Sequence, residues 1–395
     1  MQIGIVGKPN VGKSTLFGAA TMAPVDIANY PFTTIEPNKG VGYVRYPCPC
    51  KQLGVKCDPH NSLCINGTRM IPVDLLDVAG LVPDAWEGKG LGNKFLDDLR
   101  QADAFINVVD ASGLTNIEGV PGKIGEHDPT EDVTFLRHEI DCWMREIIKD
   151  GLAKIARQAK MNGAKPEEVL AERLTGLKVT EGEIKDALDK VPLPADPTTW
   201  DDDTLLKLCS EIRRLSKPMI IAMNKADIAS PENFKKLEAL GDVTVATMAE
   251  TELALKKAEK AGLIEYTPGD PTFKIKEGVK LNENQQKALD YMAENMKKYH
   301  GTGIQQCLED AVFKTLDYIP VFPVEDENKY TNHFGKVLPD CLLVPRGSTA
   351  RDLAYRIHTD LGDKFIRAVN ARTKRTVGAD YILEPGDIIR IVANK

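Results

Sequence analysis

The octapeptide Gly7-Lys8-Pro9-Asn10-Val11-Gly12-Lys13-Ser14 constrains this chain more than any other feature. It follows the apolar run QIGIV (2–6), and the residues from Lys13 onward read as the start of a helix. A glycine-rich turn between a buried strand and a helix points several backbone N–H groups into one concavity, and the helix adds its positive end. Such a turn binds phosphates. In the pattern G-x-x-x-x-G-K-S the lysine reaches the β- and γ-phosphates, and the serine hydroxyl binds Mg²⁺. Gly7 through Ser14, with Thr15 beside them, are the candidate nucleotide contacts; Lys13 is also a candidate catalytic group and Ser14 a metal ligand.

A loop of this kind needs a sheet to carry it. Further strands are expected at 41–46, 70–78, 104–110, 218–224 and 242–247, several of them nearly continuous Val- and Ile-rich runs. That composition suits parallel strands buried on both faces, and helical stretches alternate with them. The expected fold is therefore α/β, a P-loop NTPase of the Ras-like G-domain kind. A length of 395 residues exceeds one ordinary domain. The expected division is a first part of the G domain at 1–127, a helical insertion at 128–215, the second part at 216–262, a helical connector at 263–318 and a C-terminal domain at 319–395. In the insertion Phe135, Ile140, Trp143, Ile147 and Leu152 recur at helical spacing. The same charge-laced texture also fits a solvated coiled-coil arm. The C-terminal domain reads as short strands around one helix, from Thr349 (T-x-x-D with Asp352) to Gly362.

Two later motifs refine the ligand. Asp77-Val78-Ala79-Gly80 ends a strand where a carboxylate can hold Mg²⁺ through water and a Gly80 N–H can meet the γ-phosphate. Asn224-Lys225-Ala226-Asp227 follows the apolar strand MIIAM. A carboxylate at Asp227 accepts from the paired N1–H and N2–H of guanine, whereas adenine presents an acceptor there and leaves the carboxylate unpaired. N-K-x-D thus selects GTP over ATP. Thr247-Met248-Ala249 ends the next strand, and Met248 or Ala249 can supply a backbone N–H to guanine O6.

Composition excludes several classes. No apolar run approaches the ~20 residues of a membrane span, and no basic stretch precedes an apolar leader, so a cytoplasmic protein with no membrane partner is expected. A net charge of −7 argues against a surface that coats nucleic acid throughout. The charge is uneven: residues 341–395 hold ten Lys or Arg against six Asp or Glu. Within that basic end Arg372, Lys374 and Arg375 form a cluster that either meets phosphates or is a solvated basic loop. The six histidines are dispersed, and His358 reads as structural. Four of eight cysteines crowd into one stretch, Cys48, Cys50, Cys57 and Cys64, with His60 among them. Four soft ligands in seventeen residues can hold Zn²⁺, but the spacing is not a paired C-x2-C, and reduced thiols or disulfides are the alternatives.

Longer stretches carry a family resemblance. Asn29-Tyr30-Pro31-Phe32-Thr33-Thr34-Ile35-Glu36-Pro37-Asn38 resembles the first switch of the Obg-like GTPases, and residues 77–103 resemble their second switch. The C-terminal segment from CLLVPRG to IIRIV is similar to the TGS domain, a ubiquitin-like β-grasp module. Together with a G domain and a helical insertion, these resemble the YchF subfamily in an archaeal-like form. The resemblance implies that Thr34, or Thr33 beside it, binds Mg²⁺ in the GTP state. It places Leu81 where Ras-like enzymes carry a water-orienting glutamine, which implies slow hydrolysis of GTP to GDP. Asn10 resembles a P-loop asparagine that coordinates K⁺ in related GTPases; an ordinary turn residue is the alternative. Many YchF proteins have lost N-K-x-D and use ATP, but this chain keeps the motif, so GTP is expected. The resemblance also implies a switch that meets the ribosome or RNA through the TGS domain; the chain is expected to be a monomer.

Overall fold

The computed structural model describes residues 1–21, 38–78, 80, 98–162, 165–194, 196 and 199–394. They form two compact units, Met1–Val41 with Asp74–Cys307, and Gly42–Val73 with Leu308–Lys395. The seven strands of the first sheet, in chain order, are β1 (Gln2–Val6), β2 (Lys39–Pro47), β3 (Leu63–Ile65), β4 (Thr68–Asp77), β5 (Ala104–Asp110), β6 (Met219–Asn224) and β7 (Val243–Ala246).

In the first unit the order is β4-β1-β5-β6-β7, and every pairing is parallel. Each residue of β5 is buried, as are five of the six in β6, which is why both read as unbroken apolar runs. Register decides where chemistry can gather. Ile5 pairs with Asp77, and Asp110 with Asn224, so the strand ends that carry polar residues lie at one edge of the sheet. In open α/β sheets ligands bind at that carboxyl edge.

Helices Pro129–Asn162, Pro166–Leu174, Glu181–Lys190 and Asp202–Ser216 fill the segment between β5 and β6. Their apolar stripes are buried together: Ile140, Trp143, Leu170, Ile184, Leu205, Leu208 and Ile212 share one core with Leu76, Leu99 and Phe105, and Phe135, Ile147 and Leu152 pack against it. A solvated arm would leave those stripes exposed, so that alternative does not describe this segment. Arg213 Nε donates to Asp141 Oδ1 at 2.6 Å across two of the helices, with both side chains 9% exposed. Beyond β7 come helix Ala249–Lys260, the hairpin β8 (Ile264–Glu265) with β9 (Lys274–Ile275), and helix Glu283–Tyr299, which Asn282 and Gln285 open with a capping box.

The second unit holds a five-stranded sheet of β10 (Tyr318–Val324), β11 (Leu342–Pro345), β12 (Phe365–Asn370), β13 (Arg375–Val377) and β14 (Ile388–Ala393), in the order β11-β10-β14-β12-β13. Helix Ala350–Ile357 packs Ala350 and Leu353 onto Ile319, Val321, Ala368 and Ile389, giving the β-grasp core. Thr349 and Asp352 make the expected capping box. The helix stops earlier than the sequence suggests. His358 is extended, and its ring accepts from Asp360 N at 3.2 Å, so it caps a second short helix, Thr359–Asp363. The role is structural, as expected for His358. Also in this unit are β3, the Thr68–Val73 part of β4 with which it pairs, and the cysteine-bearing loop before them. Among the described residues no helix is long and apolar enough to cross a membrane.

Candidate nucleotide site

The loop after β1 has the backbone its sequence demands. Gly7 and Gly12 take φ of 145° and 99°, and a Cβ at Gly7 would sit 2.5 Å from the Val108 carbonyl oxygen. Side chains are strained in that region and here would also collide. Asn10 takes a left-handed φ of 63°, and its Nδ2 donates to Gly119 O at 3.0 Å. Both are properties of a turn residue, one of the two roles read for it from the sequence.

Lys13 Nζ lies 3.3 Å from the Lys8 carbonyl oxygen and is half-buried. Burial lowers its pKa, and the nearby Asp77 carboxylate opposes that fall. Ser14 Oγ donates to Asp77 Oδ2 at 3.3 Å, so the two oxygens that the sequence assigns to Mg²⁺ are neighbours. Burial raises the pKa of Asp77, with Lys13 and Ser14 pulling the other way. Paired hard oxygens beside a half-buried cation fit a magnesium–triphosphate complex, whose metal would shield phosphate charge. Gly80 stands over Lys13: a Cβ there would lie 3.1 Å from Lys13 Nζ. Thr34, Thr33 and Leu81, with the rest of 22–37 and 81–97, lie outside the described residues.

At the far end of the loop a cleft of about 250 Å³ is lined by Asn10, Gly12, Thr15, Asn224, Lys225, Asp227, Met248 and Ala249, among others. Asn224, 3% exposed, holds it together. Its Nδ2 donates to Val11 O at 2.8 Å, and its Oδ1 accepts from Ala249 N at 3.1 Å. One side chain thus joins the phosphate loop to the start of helix Ala249–Lys260. Lys225 Nζ crosses the loop to Asp110 Oδ2 at 2.8 Å and Asn10 O at 3.3 Å. Burial would raise the pKa of Asp110, but hydrogen bonds from Lys225, Ser112 and Thr115 outweigh it and hold that pKa low.

The structure differs from expectation at the base-facing amides. Met248 N donates to Thr302 O at 2.9 Å, and Ala249 N is held by Asn224. Neither N–H is free for guanine O6, because the helix start is already capped from within the fold. Asp227 does face the cleft, but Tyr291 Oη donates to its Oδ2 at 2.9 Å, and Tyr299 Oη donates to Ala226 O at 2.8 Å. Helix Glu283–Tyr299 therefore touches the N-K-A-D motif, which sequence reading missed. Only its Tyr291 and Tyr299, two turns apart on one face, hinted at this.

Also missed was a buried chain behind the loop. Lys8 Nζ lies 2.8 Å from Asp132 Oδ1 and donates to Thr115 O at 2.7 Å; His127 Nε2 lies 2.7 Å from the same Asp132 oxygen. Burial lowers the pKa of Lys8 and raises that of Asp132, each against the pull of its partner. The chain ties the phosphate loop to the first turns of helix Pro129–Asn162. In the second unit the four crowded cysteines converge, while Arg372 Nη1 donates to Gln52 Oε1 at 2.7 Å and Lys374 Nζ is bonded to Glu327 O. Arg375 lies exposed on β13.

A phosphate loop at the carboxyl edge of a parallel sheet, followed by D-x-x-G at the end of β4 and N-K-x-D at the end of β6, defines a P-loop G domain. Comparison with known proteins agrees. Residues 2–137 match a family described as 50S ribosome-binding GTPase, residues 222–326 the Obg-like GTPase YGR210-like, G4 motif-containing domain, and residues 330–393 the TGS domain. A GTP-binding protein of Methanocaldococcus jannaschii is 53% identical over 99% of this chain and 98% of its own. The ribosome-binding ATPase YchF of Mycoplasma genitalium is 30% identical over 100% of this chain and 99% of its own. A crystal structure of a GTP-binding protein from Pyrococcus horikoshii is 44% identical, covers 100% of both chains and superposes with a TM-score of 0.79. The chain belongs to the YchF subfamily of the Obg-like GTPases, GTP-binding proteins with a P-loop G domain and a C-terminal TGS domain.

Proposed function

We propose that this protein is a Mg²⁺-dependent GTP switch that hydrolyses GTP to GDP slowly. The observation that carries the choice of base is the position of Asp227, whose carboxylate lines the cleft beside the phosphate loop. In this reading backbone N–H groups of the Gly7–Thr15 loop, Pro9 excepted, cradle the phosphates, Lys13 neutralises the β- and γ-oxygens, and Ser14 and Asp77 hold the metal directly and through water. Gly80 N–H meets the γ-phosphate, and Thr34 completes the metal shell when GTP is bound. Leu81 offers no hydrogen bond to the attacking water, so turnover without a partner is slow. Nucleotide titration tests the assignment. Wild-type protein is expected to prefer GTP, and Asp227→Asn to erase most of that preference; equal affinities for GTP and ATP in both proteins would refute it.

A second reading, ATP use, is favoured by the Tyr291 hydroxyl on Asp227, which occupies the carboxylate that guanine would need. Relatives named ribosome-binding ATPases point the same way. The titration above separates the two. Ribosome association is proposed from those names and from the TGS match. Co-sedimentation with ribosomes at graded salt and with each nucleotide checks it, and an absence of any salt- or nucleotide-dependent association would count against it.

A further inference from the structure

The four crowded cysteines come from separate pieces of local structure. Cys48 precedes the short helix Pro49–Leu53, Cys50 lies in its first turn, Cys57 in the loop beyond, and Cys64 on β3. The spacing C-x-C-x6-C-x6-C does not place them together in any regular element; the tertiary fold does. Their four Sγ atoms all lie within 4.8 Å of one another, with Cys48–Cys57 at 3.9 Å and Cys50–Cys64 at 3.8 Å. Four sulfurs bound tetrahedrally at ~2.3 Å from one zinc would be roughly 3.8 Å apart. A disulfide needs ~2.05 Å, and all eight cysteines are free thiols. His60 takes no part: its Nδ1 turns to Asp340 Oδ1 at 3.5 Å.

A second observation supplies the charge. Arg69 is wholly buried, yet among the described residues none of its partners is a carboxylate. Its guanidinium donates to Ser62 Oγ at 2.9 Å, Leu338 O at 2.9 Å and Cys48 Sγ at 3.5 Å, and it lies 5.3 Å from the centre of the Phe322 ring. A buried cation is costly without an anion, and Cys48 Sγ of the cluster lies against it. Four thiolates around Zn²⁺ carry a net charge of −2, which Arg69 would partly offset.

A third observation shows what the cluster would hold. Residues 54–62 form no helix or strand, yet they are bonded along the segment 337–341 of the β-grasp unit: Asp58 N to Val337 O at 2.9 Å, His60 N to Pro339 O at 2.6 Å, and the Asn61 amide to both backbone groups of Cys341. We propose that Cys48, Cys50, Cys57 and Cys64 bind one structural Zn²⁺, and that this metal clamps the loop between β2 and β3 onto the 337–341 segment of the TGS-bearing unit. All four positions are protein ligands, so no site remains for substrate. Binding exchanges protons for metal without redox change: four Cys–SH and one Zn²⁺ give Zn(S–Cys)₄²⁻ and four protons released to solvent.

The full chain, purified under reducing conditions without chelator, is measured by plasma mass spectrometry and thiol titration. About one zinc per chain is expected, and a mercurial should release it in step with modification of Cys48, Cys50, Cys57 and Cys64, because the other four thiols are buried. Cobalt exchanged into wild-type protein should give the intense red-region absorption of tetrahedral thiolate coordination, a readout that needs no variant to fold. Cys57→Ser and Cys64→Ser should each abolish stoichiometric zinc. On metal removal, hydrogen exchange should rise in 48–65 and 337–341 more than in the phosphate loop. Substoichiometric zinc, iron in its place, a Cys48–Cys57 or Cys50–Cys64 disulfide in the native protein, or unchanged exchange in both segments would each overturn the proposal.

Discussion

Truncating Asn224 to alanine isolates the joint between the phosphate loop and the base-side helix. The residue is 3% exposed, donates to Val11 O at 2.8 Å and accepts from Ala249 N at 3.1 Å, with Thr247 Oγ1 more distant at 3.4 Å. Alanine leaves one buried carbonyl and one buried N–H without partners, and each such orphan costs about 1–3 kcal/mol. A combined loss of about 2–6 kcal/mol is expected, divided between folding and nucleotide affinity. Denaturant unfolding of the nucleotide-free protein measures the first share, and titration with GTP and Mg²⁺ the second. The aspartate variant separates the two bonds. Asn224→Asp keeps an acceptor for Ala249 N but turns a carboxylate oxygen toward Val11 O, so it should harm nucleotide binding at least as much as alanine does. If Asn224→Ala changes stability and affinity together by less than about 0.5 kcal/mol, the side chain is not the joint described here.

Three further outcomes follow from neighbouring groups. Tyr291→Phe removes the hydroxyl that occupies Asp227 Oδ2; since an exposed hydrogen bond is worth about 0.5–1.5 kcal/mol, GTP should bind about 2- to 10-fold more tightly, read by calorimetry, with ATP affinity unchanged. Lys8→Met leaves the buried Asp132 without its cation and should destabilise the fold by about 3–5 kcal/mol, part of which Asp132→Asn in the same chain restores. Because burial already raises the Asp132 pKa, the folded Lys8→Met protein binds a proton more readily than the unfolded chain, so its stability should rise as pH is lowered. Asp77 also has a raised pKa, and in the role proposed for it the carboxylate must be ionised to hold Mg²⁺, so the Mg²⁺ enhancement of GTP affinity should fail on the acidic side at a higher pH than an ordinary aspartate would allow. Asp77→Asn should remove that pH dependence.

What sequence alone determined is what short segments control. The phosphate loop needs eight consecutive residues whose backbone angles are set by Gly7, Asn10 and Gly12, and N-K-A-D needs four at a strand end. Buried parallel strands declare themselves because β5 and β6 are apolar on both faces, and a T-x-x-D cap is a contact between neighbours. The insertion shows the limit: its helical spacing was legible, but only the packing of Trp143 and Leu208 with Phe105 showed that it is core rather than solvated arm. The tertiary structure alone decided the partners that are distant in sequence. Asp132 meets Lys8 across 124 positions and Tyr291 meets Asp227 across 64. Thr302 takes the Met248 N–H that guanine was expected to use, and Leu338 meets Arg69 beside the cysteines from 269 positions away. No local propensity encodes such pairings, because each depends on which faces of distant helices and strands the sheet brings together, and those faces choose what surrounds a phosphate loop whose own shape eight residues suffice to set.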